Sequence, residues 1–167
     1  MNPSNGLTHQ SIVVRPATLM DLGDVLSIRQ AQELAEDGIV FTTAERLGGE
    51  WESRGHRLAE QVWVVVAADN RLVACAELAR VDRVFALRCW STPEYQDAKV
   101  NLTLLAKSEQ QACTIGREDG SDSVTVFSQA TSSQLEAREA LTEQGARKPP
   151  ASVGGCIAHP CVDKHLF

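Results

Sequence analysis

The sequence predicts one α/β domain with a mixed, mainly antiparallel central sheet and helices on both faces. Three observations carry that expectation. Three apolar, strand-forming runs follow one another between Val62 and Ser91 with only short polar turns between them, the pattern of an antiparallel meander. After Asp97 the apolar residues fall three and four apart, which marks a helix. The β-branched run at Ser123–Phe127 then completes a strand–helix–strand unit, and a meander joined to such a unit makes a mixed sheet covered by helices.

Residues 1–10 (MNPSNGLTHQ) carry Pro, Gly, Asn and Ser without periodicity and read as a flexible leader, leaving residues 11–167 for a single domain. Ser11–Arg15 is β-branched and stops at Pro16, which predicts the first strand. Thr18 and Asp21 form a cap and a first-turn acid. Leu22, Val25, Leu26 and Arg29 then space a helix to about Glu36, and Asp37-Gly38 ends it. A second helix is expected over Thr43–Leu58, although Gly48 and Gly49 in its middle each cost about 1 kcal/mol of helix propensity. Val62–Ala68 is the strongest strand. Asp69-Asn70 forms a two-residue turn into Arg71–Leu78, and Val84–Ser91 follows as the fourth strand. The helix after Asp97 is expected to end near Gly116. Ser132-Ser133 caps a late helix that stops at Gly145, and the tail from Cys156 to Phe167 has room for one more strand.

Composition narrows the function classes. Hydrophobic residues make up 43% and charged residues 23% of the 167, which excludes a largely disordered chain and allows one sizeable core. A formal charge of -6 gives no general attraction to a phosphate backbone, so no nucleic-acid partner is expected. No run reaches the roughly 20 apolar residues of a membrane span, and the start holds no apolar signal core, so a cytoplasmic protein with no membrane partner is expected. Cys75, Cys89, Cys113, Cys156 and Cys161 match no paired metal knuckle. Even with His159 and His165 nearby they read as reduced thiols, and no metal is expected.

The segment Cys89-Trp90-Ser91-Thr92-Pro93-Glu94-Tyr95-Gln96-Asp97-Ala98-Lys99-Val100-Asn101-Leu102-Thr103-Leu104-Leu105 resembles the acyl-CoA loop of the GNAT N-acetyltransferases, written R/Q-x-x-G-x-G/A between the fourth strand and a helix. Gln96 matches the first motif position, and Val100 with Leu104-Leu105 matches the apolar positions that seat the helix. Lys99 and Asn101 stand where the family has glycines. Val13-Arg15-Pro16-Ala17 with Asp21-Leu22 is similar to the family's opening, and Ala140–Ala146 to its late helix, so the resemblance spans about Ile12 to Ala146. It implies a strand end that splays from its neighbour and a helix N-terminus whose free N–H groups and positive dipole end receive the CoA pyrophosphate. If the fourth and fifth strands do not splay beside Asp97, the resemblance fails.

By that resemblance the chain transfers an acetyl group from acetyl-CoA to an amine of a small molecule or peptide by direct attack. Trp90, Ser91, Gln96, Asp97, Ala98, Lys99, Val100 and Asn101 form the cofactor-binding segment, and main-chain N–H groups near Trp90 and Ser91 polarise the thioester carbonyl. The alternative is a catalytically degenerate GNAT-fold module with a binding, regulatory or half-site role, because Leu141 also stands where the family has its acidic Tyr. Glu77, a carboxylate among apolar strand residues, is the candidate general base, with a solvated strand carboxylate as the other reading. Tyr95 reads as packing, while Cys89 is either a proton relay or core. Trp63 belongs in the core, Trp90 lines the acceptor cleft or packs, and Trp51 helps form the acceptor wall. An exposed edge strand in the C-terminal segment would suit a homodimer.

Overall fold

A computed structural model describes residues 11–81, 84–96, 98–120, 123–128 and 155–160. Their elements run β1 (Ile12–Pro16), α1 (Leu22–Asp37), α2 (Ala44–Arg54), α3 (Leu58–Gln61), β2 (Val62–Ala67), β3 (Leu72–Val81), β4 (Val84–Ser91), α4 (Ala98–Glu118), β5 (Ser123–Ser128) and β6 (Gly155–Pro160). Short 3-10 turns lead into α1, join α2 to α3 and precede α4. The six strands form one sheet in the order β1-β2-β3-β4-β5-β6. Every pairing is antiparallel except β4 with β5, and that parallel pair is bridged by α4 as the crossover such a pair requires. The expected mixed α/β architecture is therefore present.

The strand alternation divides the core in two. On one face Trp63, Val65, Ala74, Ala76, Leu78, Phe85 and Leu87 pack against Val100, Leu104, Leu105 and Ala112 of α4. On the other face Val62, Val64 and Cys75 pack against Val25 of α1, Leu47 and Trp51 of α2, and Leu58 of α3. Strand β2 is covered on both faces and so reads as the unbroken apolar run Val62–Ala67.

Several expected boundaries move. Helix α2 starts at the Thr43 cap, where Thr43 Oγ1 accepts from the Arg46 N–H at 3.2 Å. It runs unbroken through Gly48 and Gly49, because buried Leu47 and Trp51 anchor both sides of the pair. It stops at Gly55, whose φ of 53° no α-helix continues through, so Leu58 opens a separate short helix rather than closing a long one. The β2–β3 hairpin spans three residues instead of two. The Asn70 N–H donates to the Ala67 carbonyl and the Ala67 N–H to the Arg71 carbonyl, both at 2.9 Å, with Asn70 left-handed at φ 64°. That is a type I turn with a bulge, and asparagine tolerates the left-handed position. Helix α4 continues two residues past Gly116 to Glu118. The tail strand pairs Gly155–Pro160 with β5, and the late helix expected between Ser132 and Gly145 lies outside the described residues.

The start of the chain is held as its motif suggests. Asp21 accepts from the Thr18 N–H at 2.8 Å and takes a bidentate pair from Arg15 at 2.7 and 2.8 Å, tying β1 to the entry of α1. The Arg15 guanidinium holds the Asp21 carboxyl at about 2, below its ordinary 3.8. Gly38 closes α1 at φ 70°, its N–H donating to the Leu34 carbonyl at 3.1 Å.

Candidate functional site

Strand β4 is eight residues long, but β5 pairs with only its first half, from Val84↔Thr125 to Leu87↔Ser128. On its other side β4 pairs with β3 along its whole length, up to Ala74↔Ser91. Arg88–Ser91 therefore has no strand partner on the β5 side among the described residues. The residues that follow Ser128 lie outside the described ones.

Antiparallel alternation decides which main-chain groups at this end of β4 turn away from β3. The Thr92 N–H points back to β3 and donates to the Val73 carbonyl at 2.9 Å. Its neighbour Ser91 consequently turns its N–H the other way, where the side-chain carbonyl oxygen of Gln32 on α1 accepts it at 3.3 Å. A contact that long is a weak hydrogen bond, so this donor is only loosely held. Beyond Ser91 the chain turns at Thr92–Tyr95, with Pro93 at the first position and the Tyr95 N–H donating to the Thr92 carbonyl at 2.9 Å. Tyr95 is 7% exposed and packs into the α4-side core, as its packing role predicted. Half-buried Gln96 leads to α4, whose first turn is Ala98–Asn101.

The segment singled out in the sequence thus forms one continuous strand end, turn and helix start. Trp90, Ser91 and Gln96 line its path, and Ala98, Lys99, Val100 and Asn101 form the helix start, while Asp97 lies outside the described residues. The Val100 side chain is buried against the sheet, so its main chain alone can face a ligand.

Glu77 occupies a different environment from the solvated strand expected. It points to the α1–α2 face, is 6% exposed, and its two carboxylate oxygens are taken separately by Arg29 of α1 and Arg54 of α2. Neither oxygen is left facing an amine. Arg29 lies across the Trp90 ring, its guanidinium carbon 3.8 Å from the ring centroid, and burial depresses the basicity of both arginines. Arg88 pairs across the strands with Glu77 on the same face, and its side chain is exposed. Cys75, paired across from Trp90, is buried beside Arg29, and burial pushes its thiol up to about 11.

Sequence reasoning missed Arg29, Gln32 and Arg54. The available signal was on α1, where Arg29 and Gln32 continue the spacing of Leu22, Val25 and Leu26, and a charged residue in an apolar register implies a buried partner. The tryptophans divide differently from expectation. Trp63 is core, Trp90 is half-buried beneath Arg29, and Trp51 is 1% exposed inside the α1–α2 core rather than on an acceptor wall. Cys89 packs against the α4-side core, where burial pushes its thiol up to about 12. Among the described residues no group of His, Cys, Asp and Glu is arranged to hold a metal ion, and no helix is long and apolar enough to cross a membrane.

This fold recurs in solved structures. A GCN5-related N-acetyltransferase from Sphaerobacter thermophilus superposes with a TM-score of 0.66 at 21% identity, over 81% of this chain and 43% of that one. An acetyltransferase of the GNAT family from Staphylococcus aureus Mu50 gives 0.66 at 14% identity, over 89% and 99% of the two chains. The chain has the GNAT fold. A Vibrio cholerae spermidine N-acetyltransferase in complex with CoA and spermine shares it, with a TM-score of 0.66, 14% identity and coverage of 89% and 95%. By sequence the chain matches no protein-family model and none of the curated proteins. Residues 129–154 lie outside the described residues, and with them the splay of the fifth strand from the fourth that the GNAT resemblance required.

Proposed function

We propose that the chain is a GNAT N-acetyltransferase that moves an acetyl group from acetyl-CoA to an amine of a small molecule or peptide by direct attack. The observation that carries this reading is the strand–turn–helix from β4 into α4, in which the Ser91 N–H turns away from β3 and is held only by Gln32 at 3.3 Å. The residues present fit the cosubstrate. Ser91 offers a donor held only at 3.3 Å, and the first-turn N–H groups of the 21-residue α4 end the strand–turn path. Acetyl-CoA supplies the activated acyl group.

In this assignment the Ser91 N–H, released by a small movement of Gln32, polarises the acyl carbonyl. Trp90 flanks the acyl group, while Gln96, Asp97, Ala98, Lys99, Val100 and Asn101 hold the phosphates mainly through the main chain. Glu77 acts as a base only after releasing an arginine, so it serves first as the anchor that ties α1 and α2 to β3. The second reading, a non-catalytic GNAT-fold module, is favoured by Lys99 and Asn101 at the motif's glycine positions.

Calorimetric titration with acetyl-CoA and with CoA, alongside thiol release in the presence of an amine panel, separates the two. Binding with turnover supports transfer, binding without turnover supports the module, and no heat from either ligand sinks the acyl-CoA assignment. Because main-chain donors do not depend on residue type, Lys99→Gly is expected to change the dissociation constant by less than about tenfold.

A further inference from the structure

Two successive residues of β4 are gripped by one face of α1. Arg29 lies over the Trp90 ring, 3.8 Å from its centroid, and Gln32, one turn further along the helix, accepts the Ser91 N–H at 3.3 Å through its side-chain oxygen. Arg29 is itself fixed by its ion pair with Glu77 of β3. The helix therefore keeps its place when the Gln32 side chain alone rotates.

A glutamine amide has a donor end and an acceptor end, and its neighbours decide which end faces which group. The Gln32 nitrogen donates to the Glu36 carboxylate at 2.9 Å, an acceptor that leaves no place for the oxygen end. That bond aims the amide oxygen at Ser91. Gln32 is 8% exposed and lies 59 residues from Ser91 along the chain, so the fold itself makes this contact. The group resting on the Ser91 N–H is thus a neutral carbonyl, the same unit as the acyl carbonyl that this donor receives in acetyl transfer.

We infer that Gln32 is a placeholder for the acyl carbonyl, a specificity-determining residue whose amide oxygen holds the Ser91 N–H until an acyl group exchanges with it, with Glu36 setting its orientation. This rests on the acetyl-transfer reading. Exchanging one neutral carbonyl for another is nearly balanced, so the Ser91 bond adds little to acyl-CoA affinity while Gln32 competes for it. An oxygen that gains negative charge during attack makes the stronger, charge-assisted bond and takes the donor outright. Gln32 thereby shifts the worth of the Ser91 bond from ground-state binding to the transition state.

The test titrates acetyl-CoA and S-ethyl-CoA calorimetrically into the full chain. The two ligands match in charge and nearly in size and differ in the carbonyl. Gln32→Leu removes the competing oxygen and leaves the Ser91 donor to the ligand. It is expected to raise the ratio of acetyl-CoA to S-ethyl-CoA affinity by about 3- to 10-fold and to lower KM for acetyl-CoA. Gln32→Glu keeps an acceptor on Ser91 and should hold the ratio near the wild-type value. Glu36→Ala, at an exposed position, frees the amide to turn and should give a smaller rise, which guards against a folding failure of Gln32→Leu.

An unchanged ratio in Gln32→Leu or, where that variant does not fold, in Glu36→Ala overturns the inference and leaves acyl-CoA binding standing, with Gln32 an anchor of α1 alone. A rise in Gln32→Glu equal to that in Gln32→Leu overturns it as well. No heat from either ligand with the wild-type chain overturns the acyl-CoA reading, and the placeholder falls with it.

Discussion

Replacing Glu77 by Gln keeps the shape of the side chain and removes the negative charge shared by Arg29 and Arg54. With Glu77 and Arg29 only 7% and 5% exposed, water screens neither group, so the loss resembles removal of one partner from a buried ion pair, about 3–5 kcal/mol. Arg54, at 16%, can turn partly toward solvent, which places the expected cost near the lower end, about 3 kcal/mol. For a chain of this length that corresponds to a fall in Tm of about 6–12 °C. Urea unfolding at neutral pH, followed by circular dichroism, measures it against wild type. The double variant Arg29→Met with Glu77→Leu should regain part of the loss, because that apolar pair needs no counter-charge and only Arg54 is left to turn toward solvent. A Glu77→Gln protein within about 1 kcal/mol of wild type would refute the argument, since it would mean that the two guanidinium groups are already solvated.

Four further outcomes follow from the packing. The Asp21 carboxyl, held at about 2 against an ordinary 3.8, contributes stability that is present above pH 3.8 and lost as pH falls through about 2. Because the Arg15 side chain is 42% exposed, the contribution is about 1 kcal/mol, and urea midpoints measured down to pH 2 should lose that component in Asp21→Asn. Gly38→Ala places a Cβ on a residue at φ 70° and should destabilise by about 1 kcal/mol, read as a lower thermal midpoint with unchanged secondary structure. Leu104→Ala empties a fully buried position between α4 and the sheet and should cost about 3 kcal/mol in urea unfolding. Cys75 and Cys89, with thiols pushed up to about 11 and about 12 by burial, should resist a disulfide reagent at pH 8 in the folded protein and react promptly in urea.

The strand–turn–helix from Val84 into α4 was legible because each signal in it is local. A β-branched run, a proline turn and a change of apolar period each act within a few residues, and their order fits few topologies. The start of the chain was legible for the same reason, since Thr18 and Asp21 form a cap whose partners lie within six residues. The hairpin length and the end of α2 were not, because they depend on Asn70 and Gly55 adopting positive φ, a choice that neighbouring packing makes.

Residue order by itself determined the fold class, the two apolar faces and the strand–turn–helix from β4 into α4. Only the tertiary structure decided what Glu77 does. Its strand alternation, Cys75-Glu77-Ala79 against Ala74-Ala76-Leu78, gave two equal faces, and the choice was made by arginines 48 and 23 residues away on α1 and α2. Such partners leave no periodic trace in sequence, because an ion pair needs proximity in space and places no constraint on separation along the chain. The same holds for Ser91, whose N–H turns away from β3 toward Gln32, 59 residues away on α1.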